Sequence, residues 1–388
     1  MVILTQIFCK SALIGENLIL RHNVLLEINN LGRISHIECD TSLKEDSIEF
    51  SFPHHLLLPK FINSHTHIGD SILKDQAFGL SLDEAVGIEG HKYQILQHPR
   101  INRITAMRSA IIEMIQNGTA VCYDFRENGL NGIKDLREAL GNLPIDLRIL
   151  GRQDTKNNNL TTILSQCDGL GLATPLFYTQ EEMETIRNLT SSPHVLVATH
   201  IGEEFQIIQE SLERFGLSDL QVALKYLDPD ILIHLTKLEK NELKEIPTSK
   251  FIVFCPRSNA YFGLGFPPID YFLDKNHLIG LGTDNVMSNP PNILEELRWL
   301  VLRLKEQNIS INPSDALKLI TINPSKALKV STGCIKENYW ADLLVIDLQS
   351  TRTVFGKDPI MSLLFRCQLP EDISLNLFHG EIISNELV

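Results

Sequence analysis

The chain has 388 residues, enough for a large core and a satellite domain, and its 43% hydrophobic and 21% charged content is that of a globular protein. A formal net charge of −13 argues against a phosphate-backbone footprint, because nucleic-acid binding draws on clustered Lys and Arg; one or two local arginines could still hold a small anion. Seven dispersed cysteines without a CxxC fit a reducing compartment and exclude zinc ribbons and deaminases built on PCxxC.

No apolar run approaches the roughly 18 residues that span a bilayer, and MVILTQIFCK lacks the pattern of a signal peptide. The expectations are a cytoplasmic location, no membrane and no nucleic-acid partner. Roughly the first 50 residues read as short strands, LIL, VLLEI and RISHIE, with Asn29, Asn30 and Gly32 at the turns. From residue 56 the pattern changes to apolar strand followed by amphipathic helix. HLLLPKFINSH, TAVCYDF, IDLRILGR and the weaker LGLATPLFYT are strands, and RITAMRSAIIEMIQNG, LNGIKDLREALG and TQEEMETIRNLTSS are helices. Thr179 is the expected N-cap of the last, ahead of acidic first-turn residues.

HVLVATH, DILIHL, KFIVFCPRS and HLIGLGTDN are four further strands, with EEFQIIQESLERFG and NILEELRWLVLRLKEQ as helices. Asn312-Pro313 and Asn323-Pro324 each place a capping side chain before a proline suited to the first helical position. Eight strand–helix units over about 270 residues predict an α/β fold, a (β/α)8 TIM barrel. Strands return after residue 332, with a hairpin at His379-Gly380. The expected division is therefore a barrel over 58–332, with 1–57 and 333–388 forming one small composite β-sandwich domain.

Chemistry in such a barrel sits at the C-terminal ends of the strands. Four inferred strands end in a potential ligand: the first in His65 and His67, the fifth in His200, the sixth in His234 and the eighth in Asp284. One strand-end His is usually satisfied by a carbonyl, and one strand-end Asp often caps a helix. Their coincidence at matching places in one topology points to a metal site. Imidazole nitrogens and a carboxylate suit a borderline divalent ion, Zn²⁺ or Fe²⁺, and an open position lowers the pKa of a bound water towards about 7. Glu203, three residues after His200, can sit beside such an ion without ligating it, whereas Glu204 reads as a solvated first-turn acid.

HTH, then HxxE, a lone strand-end His and GTDN, together with FCPRSNAYFGLG (254–265) and GCIKENYWADLLVIDL, resemble the amidohydrolase superfamily. The similarity is to the branch of cytosine deaminase, S-adenosylhomocysteine deaminase and triazine chlorohydrolase, and it runs through nearly the whole chain. The resemblance implies a mononuclear hydrolase with His65, His67, His200 and Asp284 as metal ligands, Zn²⁺ as the ion with Fe²⁺ as the alternative, His234 orienting water or substrate, and Glu203 shuttling protons. The catalytic set is then Glu203, His234 and Asp284. Two departures stand out. IGDS follows HTH, and SLDEAVGIEGHKYQIL (81–96) replaces the usual Trp-bearing segment, closer to uncharacterised archaeal members. No Lys ends the fourth strand, so a lysine carbamate bridging two metals is not expected.

The reaction so implied is hydrolytic deamination of an aminated heterocycle: purine, pyrimidine, pterin or related ring. Hydrolysis of a cyclic amide or imidazolone, or displacement of chloride, is the alternative on the same scaffold. A non-catalytic scaffold protein would be expected to have lost ligands that this chain keeps. Lys92, Arg126, Arg152 and Asn259 are candidate substrate contacts, the cations either for an anionic group or for salt bridges with neighbouring acids. The partner is a small-molecule substrate, and a homo-oligomer is compatible with the family.

Overall fold

The structure, a computed structural model, describes residues 3–41, 48, 50–87, 89–153, 159–192, 195–273 and 275–384. Its strands form two sheets. The first is mixed and drawn from both ends of the chain: β1 (Ile3–Ile14), β2 (Ile19–Asn29), β3 (Ile34–Glu38), β4 (Phe50–Pro59), and, from the C-terminal side, β14 (Leu343–Asp347), β15 (Ile373–Phe378) and β16 (Glu381–Ile382), in the order β16-β15-β14-β4-β1-β2-β3. The second is parallel and curled. It contains β5 (Phe61–His67), β6 (Thr119–Arg126), β7 (Asp146–Gly151), β8 (Gly169–Leu172), β9 (Leu196–Ile201), β10 (Ile231–His234), β11 (Phe251–Phe254), β12 (Ile279–Leu281) and β13 (Asp284–Asn285).

The predicted eighth strand, HLIGLGTDN, accounts for two of these strands. Its first half, β12, pairs with β11, and its second half, β13, pairs with β5 through Asp284 to Thr66 and Asn285 to His67. One segment therefore hydrogen-bonds to both edges of the parallel sheet, as the expected barrel requires. Asn63 bridges the gap between the halves: its amide donates to Thr283 Oγ1 (2.8 Å) and accepts from Thr283 N (3.1 Å). Gly282 is needed at the same place, since a Cβ there would lie 2.5 Å from His65 Cβ. Strands β6, β10 and β11 are buried along their whole length, as expected where helices cover the outer face and barrel side chains fill the inner one. Helices at 100–116, 129–140, 180–189 and 205–215 lie between successive strands.

Where a sandwich was expected, hydrogen bonding runs through all seven terminal strands as one mixed sheet. This sheet still encloses a core of its own, in which Ile7, Val24 and Leu26 meet Val345, Leu375 and Leu377. Its other face adds Leu13, Leu56 and Leu58 to the cluster that includes Leu294, Leu297 and Leu300 of the helix Ile293–Glu306. The single apolar run HLLLPKFINSH serves both sheets. Membership changes at the fully buried Lys60, just beyond the boundary expected at residue 58.

Local signals were decided by local chemistry. Thr179 caps the helix Gln180–Leu189 in a reciprocal capping box with Glu182, and Asn312 caps Pro313–Lys318 by accepting from Ser314 N. Asn323 does not cap. It lies inside the helix Ile322–Ala327 and its amide donates to Ile279 O (3.0 Å), because the end of β12 offers it a carbonyl. His379 and Gly380 make the β15–β16 turn with φ of 50° and 79°. Among the described residues no helix is long and apolar enough to cross a membrane.

Replacing Gly282 by Ala should force the β12–β13 junction away from His65. We expect a loss of about 1–3 kcal/mol in denaturant unfolding, the usual range for overpacking a tight site. An unchanged midpoint would show that this approach is looser than drawn.

Candidate metal centre

The fold carries the strand-end groups to one place. Ligand atoms of His65, His200, His234 and Asp284 all lie within 4.8 Å of one another. Asp284 Oδ1 is 3.2 Å from His65 Nε2 and 3.5 Å from His67 Nε2, and His67 Nε2 is 3.4 Å from His200 Nε2. Four tetrahedral ligands at bonds of about 2.1 Å stand about 3.4 Å apart, so these separations are those of a set that one small divalent ion would fit. That group of four includes His234 and not His67, although His67 Nε2 adjoins two of its members. Beneath the rings lies Phe125 of β6, with its centroid 4.3 Å from His65 and 5.1 Å from His200. This apolar floor was not foreseen from sequence.

The outer nitrogens of three imidazoles have partners that select one tautomer. His67 Nδ1 faces Glu127 Oε1 (2.7 Å), His200 Nδ1 faces Leu172 O (3.0 Å), and His234 Nδ1 faces Asn259 Oδ1 (3.0 Å). Each of these three oxygens can only accept, which favours a proton on each Nδ1 and an open lone pair on each Nε2, although Lys92 Nζ, a donor, also stands 3.1 Å from His67 Nδ1. Asn259 is fixed in turn by donating to Thr236 Oγ1 (2.6 Å). It thus supports His234. Ser258 Oγ donates to Asp284 Oδ2 at 2.5 Å, leaving Oδ1 for the cluster.

Burial pushes the His65 and His200 imidazoles below their usual pKa, and burial followed by the Lys92 charge takes His67 down to about 3. Burial alone would raise the Asp284 carboxyl, but the hydrogen bond from His65 and the surrounding imidazoles hold it well below the usual range. Neutral imidazoles beside an ionised carboxylate are the forms that bind a metal. Glu203 lies outside the cluster, with Oε1 3.4 Å from His234 Nε2, and burial lifts its pKa to about 7. It lines a cavity of about 800 Å³ together with His67, His200, Asp284 and Phe177.

IGDS, the stretch that departs from the resembling branch, also acquires a role. Asp70 is fully buried and accepts from Asn285 Nδ2 (2.7 Å) and Met287 N (3.0 Å), tying the end of the first barrel strand to the end of the last. Asp124 accepts from Ile68 N at 2.5 Å and so fixes the residue behind HTH. Gly69 leaves room for the Arg126 guanidinium, which a Cβ would meet at 1.7 Å.

The three predicted cationic contacts converge on one acid. Glu127 Oε1 receives Lys92 (2.6 Å) and Arg152 (3.0 Å), and Oε2 receives Arg126 (2.8 Å). Burial would raise the Glu127 carboxyl, yet Lys92, His67 and Arg152 more than offset that and hold it well below the usual range. Nothing in the sequence spacing around Glu127 marks it as a hub.

A curled parallel sheet with imidazoles and a carboxylate at its C-terminal edge is the architecture of metal-dependent hydrolases built on a barrel. Residues 56–368 match the amidohydrolase family, and the chain belongs to it. It is a hydrolase of the kind that acts on carbon–nitrogen bonds. An uncharacterized protein of Methanocaldococcus jannaschii is 30% identical over 340 residues, covering 84% of this chain and 87% of that one. The 5-methylthioadenosine/S-adenosylhomocysteine deaminase of Thermococcus kodakarensis is 26% identical over 392 residues, 95% of this chain and 91% of its own. Among solved structures, atrazine chlorohydrolase from Arthrobacter aurescens TC1 complexed with zinc shares the fold, with a TM-score of 0.83 at 17% identity over 98% of this chain and 95% of that one.

If the cluster holds an ion, stripping the protein with a chelator should lower its melting temperature. Returning the metal at 100 times its dissociation constant should restore about 2.7 kcal/mol. A melting temperature indifferent to both treatments would argue that these side chains only pack against one another.

Proposed function

We propose that the protein deaminates an uncharged aminated heterocycle by hydrolysis, with His65, His67, His200 and Asp284 holding one divalent ion, Zn²⁺. That ion, when bound, supplies Lewis-acid activation of water and offsets developing negative charge. In the net reaction a water oxygen bonds to the ring carbon, the C–N bond breaks, and ammonia leaves. What carries the reading is Glu203, a carboxyl with a pKa raised to about 7 beside the donor cluster and open to the cavity. At that value it can both accept and return a proton near neutrality.

Glu203 takes a proton from the water and delivers it to the ring nitrogen. Asp284 takes the second proton and passes it to the departing amine, which needs protonation as chloride would not. Asn259 keeps the proton of His234 on Nδ1, so Nε2, 3.4 Å from Glu203 Oε1, is free to accept from water and orient it.

The cavity wall bears on the substrate. Lys92, Arg103, Arg126 and Arg152, the cations that line it, each have a carboxylate partner. Anion recognition would have to break one of these pairs, which favours a ring without phosphate or carboxylate. A volume of about 800 Å³ exceeds what a bare ring needs and leaves space for a substituent. The relative in Thermococcus kodakarensis carries the name of a deaminase, in line with this reading.

Glu203→Gln should lower kcat by roughly 10²–10⁴-fold with metal content unchanged; full activity in this variant would remove Glu203 from the mechanism. Assayed for ammonia, a panel of aminated purines, pyrimidines and pterins should yield a substrate among the uncharged members, with phosphorylated forms turned over poorly. Turnover confined to the phosphorylated forms would reverse the charge argument.

A further inference from the structure

Glu127, immediately after β6, carries more donors than charge balance asks for. Oε1 accepts from His67 Nδ1 (2.7 Å) and pairs with the charges of Lys92 (Nζ at 2.6 Å) and Arg152 (3.0 Å), and Oε2 accepts from Arg126 (2.8 Å). Each carboxylate oxygen offers about two lone-pair sites, so Oε1 meets one cation or donor more than it can accept from. Neutralising Arg126 is an incomplete account of it, because Asp124 Oδ2 also stands 3.4 Å from that guanidinium. The two shortest contacts go instead to Lys92 and His67.

Those two donors also lie close to each other: Lys92 Nζ is 3.1 Å from His67 Nδ1. An ammonium cannot accept from an N–H. Only a shared acceptor keeps both where they are, and Glu127 Oε1 is that acceptor. Without it, Lys92 would donate to Nδ1 and the imidazole proton would move to Nε2, the nitrogen that faces Asp284 Oδ1 at 3.5 Å and His200 Nε2 at 3.4 Å. A protonated Nε2 cannot bind a metal.

We propose that Glu127 is a positioning residue for the metal centre, holding His67 in its ligating tautomer against the competing donor Lys92. Lys92 descends from the turn 91–97, so the carboxylate also ties that turn to a ligand of the site. The inference rests on the metal-binding reading given under Proposed function.

The test is a Zn²⁺ dissociation constant, read by competition with a chromogenic chelator on protein whose fold is checked by circular dichroism. Glu127→Gln should weaken binding about 10–100-fold, the usual effect of losing the partner of a ligating histidine. Glu127→Asp keeps the charge for the arginines but falls short of His67, and should show the same loss if the Gln variant does not fold. The discriminating arm is Lys92→Met. Alone it should change the constant little; combined with Glu127→Gln it should recover most of the lost affinity, because the competing donor is gone. A folded Glu127→Gln or Glu127→Asp protein with wild-type affinity, or a double variant without recovery, overturns the proposal and leaves the metal site standing. A wild-type protein that takes up no divalent ion overturns the site and the proposal together.

Discussion

Closure of the parallel sheet by one short segment is the constraint on which the site depends. Residues 279–285 serve two edges, with β12 on β11 and β13 on β5. The break falls at Gly282-Thr283, where Asn63 supplies from its side chain the hydrogen bonds that the backbone ladder lacks. Asp284 is the first residue after the break. The last ligand is thus delivered by the joint that closes the sheet, directly opposite His65 and His67 on the strand to which that joint binds.

Bringing the groups together distorts the backbone. His234, Leu235 and Asp284 have φ of 74°, 56° and 61°, in the left-handed region that side chains other than Gly seldom occupy. Each such residue costs of order 1–3 kcal/mol, and such distortion persists only where surrounding contacts over-determine it. Here the contacts can be named. Asn259 holds His234 and Ser258 holds Asp284, both from the same helical turn, Pro256–Tyr261, and Asp70 anchors Asn285 and Met287 just beyond. The site is rigid because neutral donors and buried acids fix it from outside, with no flexible side chain in the inner ring.

The sequence made some of this legible and hid the rest for physical reasons. That His65, His200, His234 and Asp284 would meet could be expected because the apolar runs of parallel strands can be read in the sequence, and their last residues fall on one edge. Thr179 and Asn312 could be read as caps because capping is a contact over three residues. Asn323 looked the same and failed, since its partner carbonyl lies on β12, far away in sequence. Whether Lys92, Arg126 and Arg152 would meet an anionic ligand or neighbouring acids stayed open because ion pairing depends on where three loops meet, and nothing local announces Glu127 as their common partner. The run HLLLPKFINSH read as one strand because composition does not change at Lys60, where the chain passes from one sheet to the other.

The mixed sheet has a consequence for how the chain is made. Strand β4 carries Leu56, Leu57 and Leu58, all buried in the finished protein, and β14 is the neighbour that covers its edge. At about 5–20 residues per second, the roughly 290 residues between Leu58 and its partner Leu344 take about 15–60 s to synthesise. For that interval the nascent chain presents an apolar strand with an unpaired edge, the kind of surface that recruits other strands. Residues so far apart in sequence also make a slow contact to find. An enzyme whose chemistry is set by a few ångströms at one end of its barrel therefore passes its most exposed moment at the other end, on the ribosome.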